Sequence, residues 1–309
     1  MITELLSPFG YDYMLTAMLV SALIGGVCAF LSVYLMLKGW SLIGDALSHA
    51  IVPGVAGAYM LGLPFALGAF FSGGLAATTM LFIHQKSKLK VDTIIGLIFT
   101  SFFGLGLFMI SISPSAVNIK TIVLGNILAI TPQDTIQLLC IGCVSFVVLA
   151  LKWKDLMVVF FDENHAKTIG INPNLLKILF FTLLSACTVA ALQTVGAFLV
   201  IAMVVTPGAT AYLLSDKFYH VIKISVCIGV FTAFFGTYLS YFIDGATGGV
   251  IVLLQACVFI LAFIFAPKHG FLASHSHSHS QVSNIVTDKN IKSNNIHKIK
   301  ENEANNAFI

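Results

Sequence analysis

Residues 12–37 read "DYMLTAMLVSALIGGVCAFLSVYLML", an apolar run whose single charge, Asp12, stands at its first position. A helix rises about 1.5 Å per residue and a bilayer's hydrocarbon core is roughly 30 Å thick, so about 20 such residues cross it. Only "KGWS", residues 38–41, separates this run from the next. Further runs follow at Leu42–Leu61, Pro64–His84, Asp92–Ser111, Asp134–Leu151, Asn174–Leu192, Val195–Leu214, His220–Ile243 and Gly248–Ala266, nine in all. Across its 309 residues the chain is 58% hydrophobic and 9% charged, against about 25% charged in soluble domains. The reading is an all-α integral membrane protein, a polytopic bundle of eight or nine spans, with the count open because the first two runs are so nearly continuous.

Several function classes fall away on composition. The net charge of +3 is small and every basic residue is Lys. Without Arg there is no bidentate fork for phosphate, and nucleic acid is not an expected partner. No HExxH, GxSxG or Walker-type glycine loop occurs, so the chain is not expected to hydrolyse ATP or to be an enzyme by itself. The six cysteines all lie in apolar runs, and Cys140–Cys143, though a CxxC, reads as small membrane-facing residues rather than a redox pair. The segment "MITELLSPFGYDYM" lacks the positive region of a cleavable signal.

Lysine placement orients the bundle. With nine spans, Lys38, Lys86, Lys88, Lys90, Lys152, Lys154, Lys167, Lys217 and the tail from Lys268 share one side, and Lys120 alone is opposite. Lys177 and Lys223, near span ends, are expected to snorkel to that side. The positive-inside rule makes it the cytoplasm and places the C-terminus there. Small residues recur at Gly54, Ala58, Gly62 and Ala66, then Ala69, Gly73 and Ala77, a spacing that lets helices pack closely. The transmembrane domain is expected over residues 1–273. Residues 274–309, rich in Ser, Asn, Lys and His, read as a disordered cytoplasmic tail in which His275, His277 and His279 could hold a transition metal loosely. Residues 112–133 read as a re-entrant or surface helix on the outer side, too short to span.

The chemistry concentrates in "GWSLIGDALSHAIVPG", residues 39–54. Asp45 and His49 are four apart, hence on one helical face. An Asp at a helix centre costs about 2.5–3.5 kcal/mol on insertion scales, so it marks a partner or a role. A carboxylate oxygen beside an imidazole nitrogen suits Mn²⁺, Fe²⁺ or Zn²⁺, and binding would weaken at low pH because the imidazole ligates only when neutral. Pro53 has no N–H for the carbonyl of His49, which is expected to stay free for water or a cation. An internal Asp–His hydrogen bond for helix packing fits the same spacing, as does an interfacial cap at Asp45. A second candidate is "VVTPGATAY", Val204–Tyr212, where Pro207 and Gly208 interrupt a helix. Such breaks line a cavity or serve packing. On the cytoplasmic side, Asp162–Ile169 is expected to form a short helix, with Asp162 and Glu163 at its start, Lys167 near its end, Gly170 ending it and Pro173 blocking continuation. It reads equally as a docking element or a connecting turn.

"GDALSHAIVPGVA", "FFDENHAKTIGI" and "ALQTVGAFLVIAMVVTPGATAYLL", in that order, resemble the permease subunit of bacterial ABC importers for divalent metals, nearer the manganese and iron branch than the zinc branch. The resemblance runs from about Tyr13 to Gly270. It implies a homodimeric channel in the cytoplasmic (inner) membrane, a separate ATP-binding subunit on the cytoplasmic face and an extracytoplasmic metal-binding protein. No cofactor would be held permanently; the metal is cargo and ATP belongs to the partner. Carried over, Asp45 and His49 would line the metal path, and Asp162, Glu163, His165, Ala166 and Gly170 would belong to the helix that couples to the ATPase. Pro53, Pro207 and Gly208 would be kinks along the pathway. Two copies about a two-fold axis would offer two Asp and two His to one ion. A zinc permease of the same family and a stand-alone secondary carrier are the competing readings.

Overall fold

A computed structural model describes residues 6–112 and 131–266, so the expected outer helix and the His-bearing tail lie outside the described residues. The described residues form eleven α-helices and no strand. In chain order they are α1 (Asp12–Lys38), α2 (Ile43–Ala50), α3 (Val52–Leu61), α4 (Phe65–Lys86), α5 (Val91–Ile112), α6 (Pro132–Phe161), α7 (Glu163–Thr168), α8 (Pro173–Val195), α9 (Ala197–Leu214), α10 (Phe218–Ile243) and α11 (Thr247–Phe265). The chain divides into a larger unit through Phe259 and a smaller one from Ile260. The described part of the smaller unit, residues 260–266, is the end of α11.

Among the described residues seven helices are long and apolar enough to cross a membrane: α1, α4, α5, α6, α8, α10 and α11. The run Leu42–Leu61, expected as one span, is instead two short helices meeting at Ile51. Pro53 sits in the first turn of α3, where its fixed φ suits a helix start and its missing N–H ends the α2 ladder. The run from Val195 is likewise short: α8 and α9 meet at Gly196, whose φ of 86° and ψ of 165° are accessible essentially to glycine alone. In the other direction, α6 continues past the expected end at Leu151 to Phe161, because Leu156, Val159 and Phe160 keep one of its faces buried.

The centre of the larger unit is α1, with Met18, Ile24, Leu31 and Leu35 fully buried. It approaches α10 backbone to backbone: a Cβ on Gly25 would stand 2.8 Å from the Gly229 carbonyl oxygen. Hydroxyls tie the same pair, Ser225 donating to the Ala29 carbonyl at 2.7 Å and Thr237 to Ser21 at 3.1 Å. With no water in the hydrocarbon, such side chains need protein partners. The expected small-residue packing is present between α3 and α4, where a Cβ on Gly54 would lie 2.0 Å from the Gly68 carbonyl oxygen.

At one end of the unit an aromatic cluster gathers the lysine-bearing turns. Tyr34 is fully buried, donates to the Trp153 carbonyl at 3.0 Å, and meets the rings of Phe160, Phe180 and Phe218 at 5.3–5.8 Å. Trp40, in the turn after Lys38, stacks on Phe181 and meets His84 near the end of α4. Lys38, Lys86 and Lys217 at helix ends, and Lys154 inside α6 beside Trp153, are thus drawn to one end. The two lysines expected to snorkel behave differently: Lys223 lies over the Tyr219 ring at 4.4 Å, whereas Lys177 is buried and ion-paired with Glu163.

Candidate metal site and coupling element

The site begins with the turn that follows α1. Gly39 adopts φ 69°, letting Trp40 donate back to the Leu35 carbonyl at 2.8 Å and reversing the chain. Trp40, 7% exposed, anchors the turn, and α2 starts three residues later. Its buried face carries Ile43, Gly44, Ala46, Leu47, Ser48 and Ala50. Gly44 lies against Val204 of α9, to which an added Cβ would come within 3.0 Å. Asp45 and His49 are left on the partly open side.

Asp45 Oδ1 and His49 Nε2 stand 3.4 Å apart. Their side chains retain 36% and 18% of their accessible surface, so a small ion can reach both. The imidazole meets two phenylalanines of α5 edge-on, Phe99 with centroids 5.2 Å apart and Phe103 at 5.3 Å. The two rings are parallel within 5°. The clamp fixes the ring plane without offering a competing ligand. Among the described residues no three His, Cys, Asp or Glu side chains gather as a metal cluster. The described chain thus brings two potential ligands together here, Asp45 and His49.

The joint below the pair is tightly enclosed. Pro53 is buried, and a Cβ on Gly106 of α5 would lie 2.9 Å from its nitrogen. Ser72 of α4 donates to the Ala50 carbonyl at 2.6 Å. The His49 carbonyl, expected to be free, accepts from the N–H of Ile51 as the chain turns between the two helices.

Pro207 and Gly208 are buried in α9, and Gly208 packs against Ser32 of α1. The Ser32 hydroxyl donates to the Val205 carbonyl and accepts from the Gly208 N–H, both at 3.1 Å. One side chain thereby ties α1 to the turn of α9 that carries the proline. Gly208 is needed for the approach, since a Cβ there would meet Ser32 Oγ at 2.4 Å. Neither Ser32 nor the Phe99–Phe103 clamp stood out in the sequence, where each is an ordinary member of an apolar run.

At the aromatic end, α7 occupies the residues expected for a short helix. Asp162 caps it, accepting from the N–H groups of Asn164 at 2.8 Å and His165 at 3.1 Å. These bonds hold the Asp162 carboxyl below its usual range. Gly170, at φ 82°, closes the turn, and Ile171 donates back to the Ala166 carbonyl at 3.0 Å. Ala166 is fully buried, so its side chain seats α7 rather than facing a partner; Asp162 and His165 are exposed.

The model of the ABC 3 transport family matches residues 10–266. The chain belongs to the ABC 3 transport family. It is 62% identical over 274 residues to the chelated iron transport system membrane protein YfeC of Yersinia pestis, covering 89% of this chain and 93% of that one. It is 48% identical over 269 residues to the manganese transport system membrane protein MntB of Synechocystis, covering 87% and 88%. Among solved structures, PsaBC from Streptococcus pneumoniae in complex with Fab matches with TM-score 0.78 at 35% identity, over 88% of this chain and 99% of that one. A putative metal-chelate type ABC transporter in an inward-facing conformation shares the fold at TM-score 0.63 and 17% identity, over 80% and 84%. The chain is a multi-pass membrane subunit of the ABC transporter class.

Proposed function

We propose that this subunit forms the path by which an ATP-driven importer moves Mn²⁺ or Fe²⁺ across the cytoplasmic membrane. The observation that carries the reading is the Asp45–His49 pair, open to a small ion and held by the Phe99–Phe103 clamp. The names of the relatives, an iron and a manganese system, agree with a ligand pair of mixed oxygen and nitrogen. Two copies facing one another would supply four ligands from two half sites. Such a site selects the ion yet releases it, as a transit site must.

ATP hydrolysis is assigned to a separate subunit docked on the exposed side of α7, and cargo delivery to a metal-binding protein on the opposite face. The convergence of the lysine-bearing turns on the α7 end supports placing that end in the cytoplasm. Uptake of Mn²⁺ and Fe²⁺ by cells expressing Asp45→Ala or His49→Ala tests the site: both variants should lose most uptake at equal expression. Wild-type uptake by either one overturns the assignment. Competition by Zn²⁺ against wild type and His49→Ala in parallel decides which metal the pair prefers.

A further inference from the structure

We propose that Lys177 is a positioning residue for coupling: through Glu163 it locks α7 to α8, so that movement of the docking helix is carried into the membrane part. The proposal rests on the reading of α7 as the ATPase-docking element. Lys177 is 4% exposed and is the one charged side chain buried among the described residues. Its ammonium pairs with the carboxylate of Glu163, the first residue of α7. A six-residue helix has too few turns to hold itself. What holds α7 is the Asp162 cap, the buried Ala166 and this ion pair.

The pair differs from an ornamental surface bridge. Burying a lysine is unfavourable, and apolar side chains of similar volume stabilise a fold equally well. What an ion pair adds is a defined position, and this one joins two elements across the Gly170 turn. The partner element is itself fixed: Asn172 caps α8 by accepting from Asn174 and Leu175 N–H groups, and Gln85 of α4 donates to Asn174. One turn beyond Lys177 on the same face of α8 is Phe181, which stacks on Trp40, the anchor of the turn that leads into α2. Glu163 is therefore occupied from inside the subunit, and its contribution to coupling passes through Lys177.

The test uses the complex with its ATPase in proteoliposomes, reading Mn²⁺ transported per ATP hydrolysed. Lys177→Met and Glu163→Gln should each lower that ratio by about fivefold or more, the scale of a typical coupling energy, with the ATPase subunit still co-purifying. The charge swap Lys177→Glu with Glu163→Lys should restore it. An unchanged ratio in Lys177→Met overturns the proposal, as does a Glu163→Lys loss that Lys177→Glu cannot rescue, which would place Glu163 directly against the ATPase. Charge reversal at exposed His165 and Lys167 separates the two levels. If the ATPase still docks and couples with those reversed, the docking reading fails; if only Lys177→Met is silent, the lock alone fails.

Discussion

At the residue scale, the rings of Phe99 and Phe103 bracket the His49 imidazole edge-on. Removing one wall of the clamp with Phe99→Leu or Phe103→Leu should therefore weaken the site without removing a ligand. The expected outcome is a KM for Mn²⁺ uptake raised roughly tenfold, the usual effect of losing a group that orients a metal ligand, with maximal uptake nearly kept. An unchanged KM would show that the ring is held in some other way. Asp162 supplies the pH dependence. Its carboxyl is held low by the two N–H bonds it accepts, so the cap is complete at neutral pH and is lost as pH falls through that lowered value. Amide exchange at Asn164 and His165, corrected for intrinsic rates, should lose protection only in acid. Asp162→Ala should lose it at neutral pH, while Asp162→Asn, whose side-chain oxygen also accepts, should keep it. The pair Asp45–His49 was legible because four residues is one helical turn. The clamp was not, because Phe99 and Phe103 reach His49 from another helix and nothing local marks two phenylalanines among 26.

At the element scale, hydropathy located the helices, and the deviations arise where a backbone break is compensated from elsewhere. Pro53 signalled a disturbance near Ile51, yet whether the run kinks or divides depends on Ser72, Gly106 and Gly68, which belong to other helices. Gly196 divides α8 from α9 within an apolar stretch that carries no charge to announce it. In α9 the Ser32 hydroxyl bonds the backbone on both sides of Pro207, and Ser32→Ala removes its bonds to the Gly208 N–H and the Val205 carbonyl. Losing a buried polar partner costs about 1–3 kcal/mol, which should show as a lowered Tm of the detergent-solubilised protein. Gly208→Ala should be worse. Even with Ser32→Ala in the same chain, the new methyl still meets the Ser32 backbone at 2.8 Å, so the double variant should not recover to the level of Ser32→Ala alone. Lys177 had looked like a snorkelling lysine because its partner is 14 residues away, across a turn whose path only the fold defines.

At the scale of the whole molecule, the proposed reading makes Asp45 and His49 half of a site that a second copy would complete. Equilibrium dialysis of the purified assembly should find one Mn²⁺ per two chains; one ion per chain would mean that each copy completes its own site. The divided segment α2–α3 has a consequence for how the protein is made. Neither half is long enough to enter the bilayer alone, and the groups that cover the joint, Ser72, Gly68 and Gly106, are synthesised after it. Uncovered backbone is not tolerated in hydrocarbon. The segment is therefore synthesised before its shelter exists, and it is expected to wait at the membrane surface until α4 and α5 arrive. A chain truncated after residue 61 and released into membranes should leave a cysteine placed at Ser48 open to aqueous thiol reagents, and one that continues well past residue 112 should protect it. The proposed site would then be assembled late in biogenesis, although Asp45 and His49 are among the first residues made.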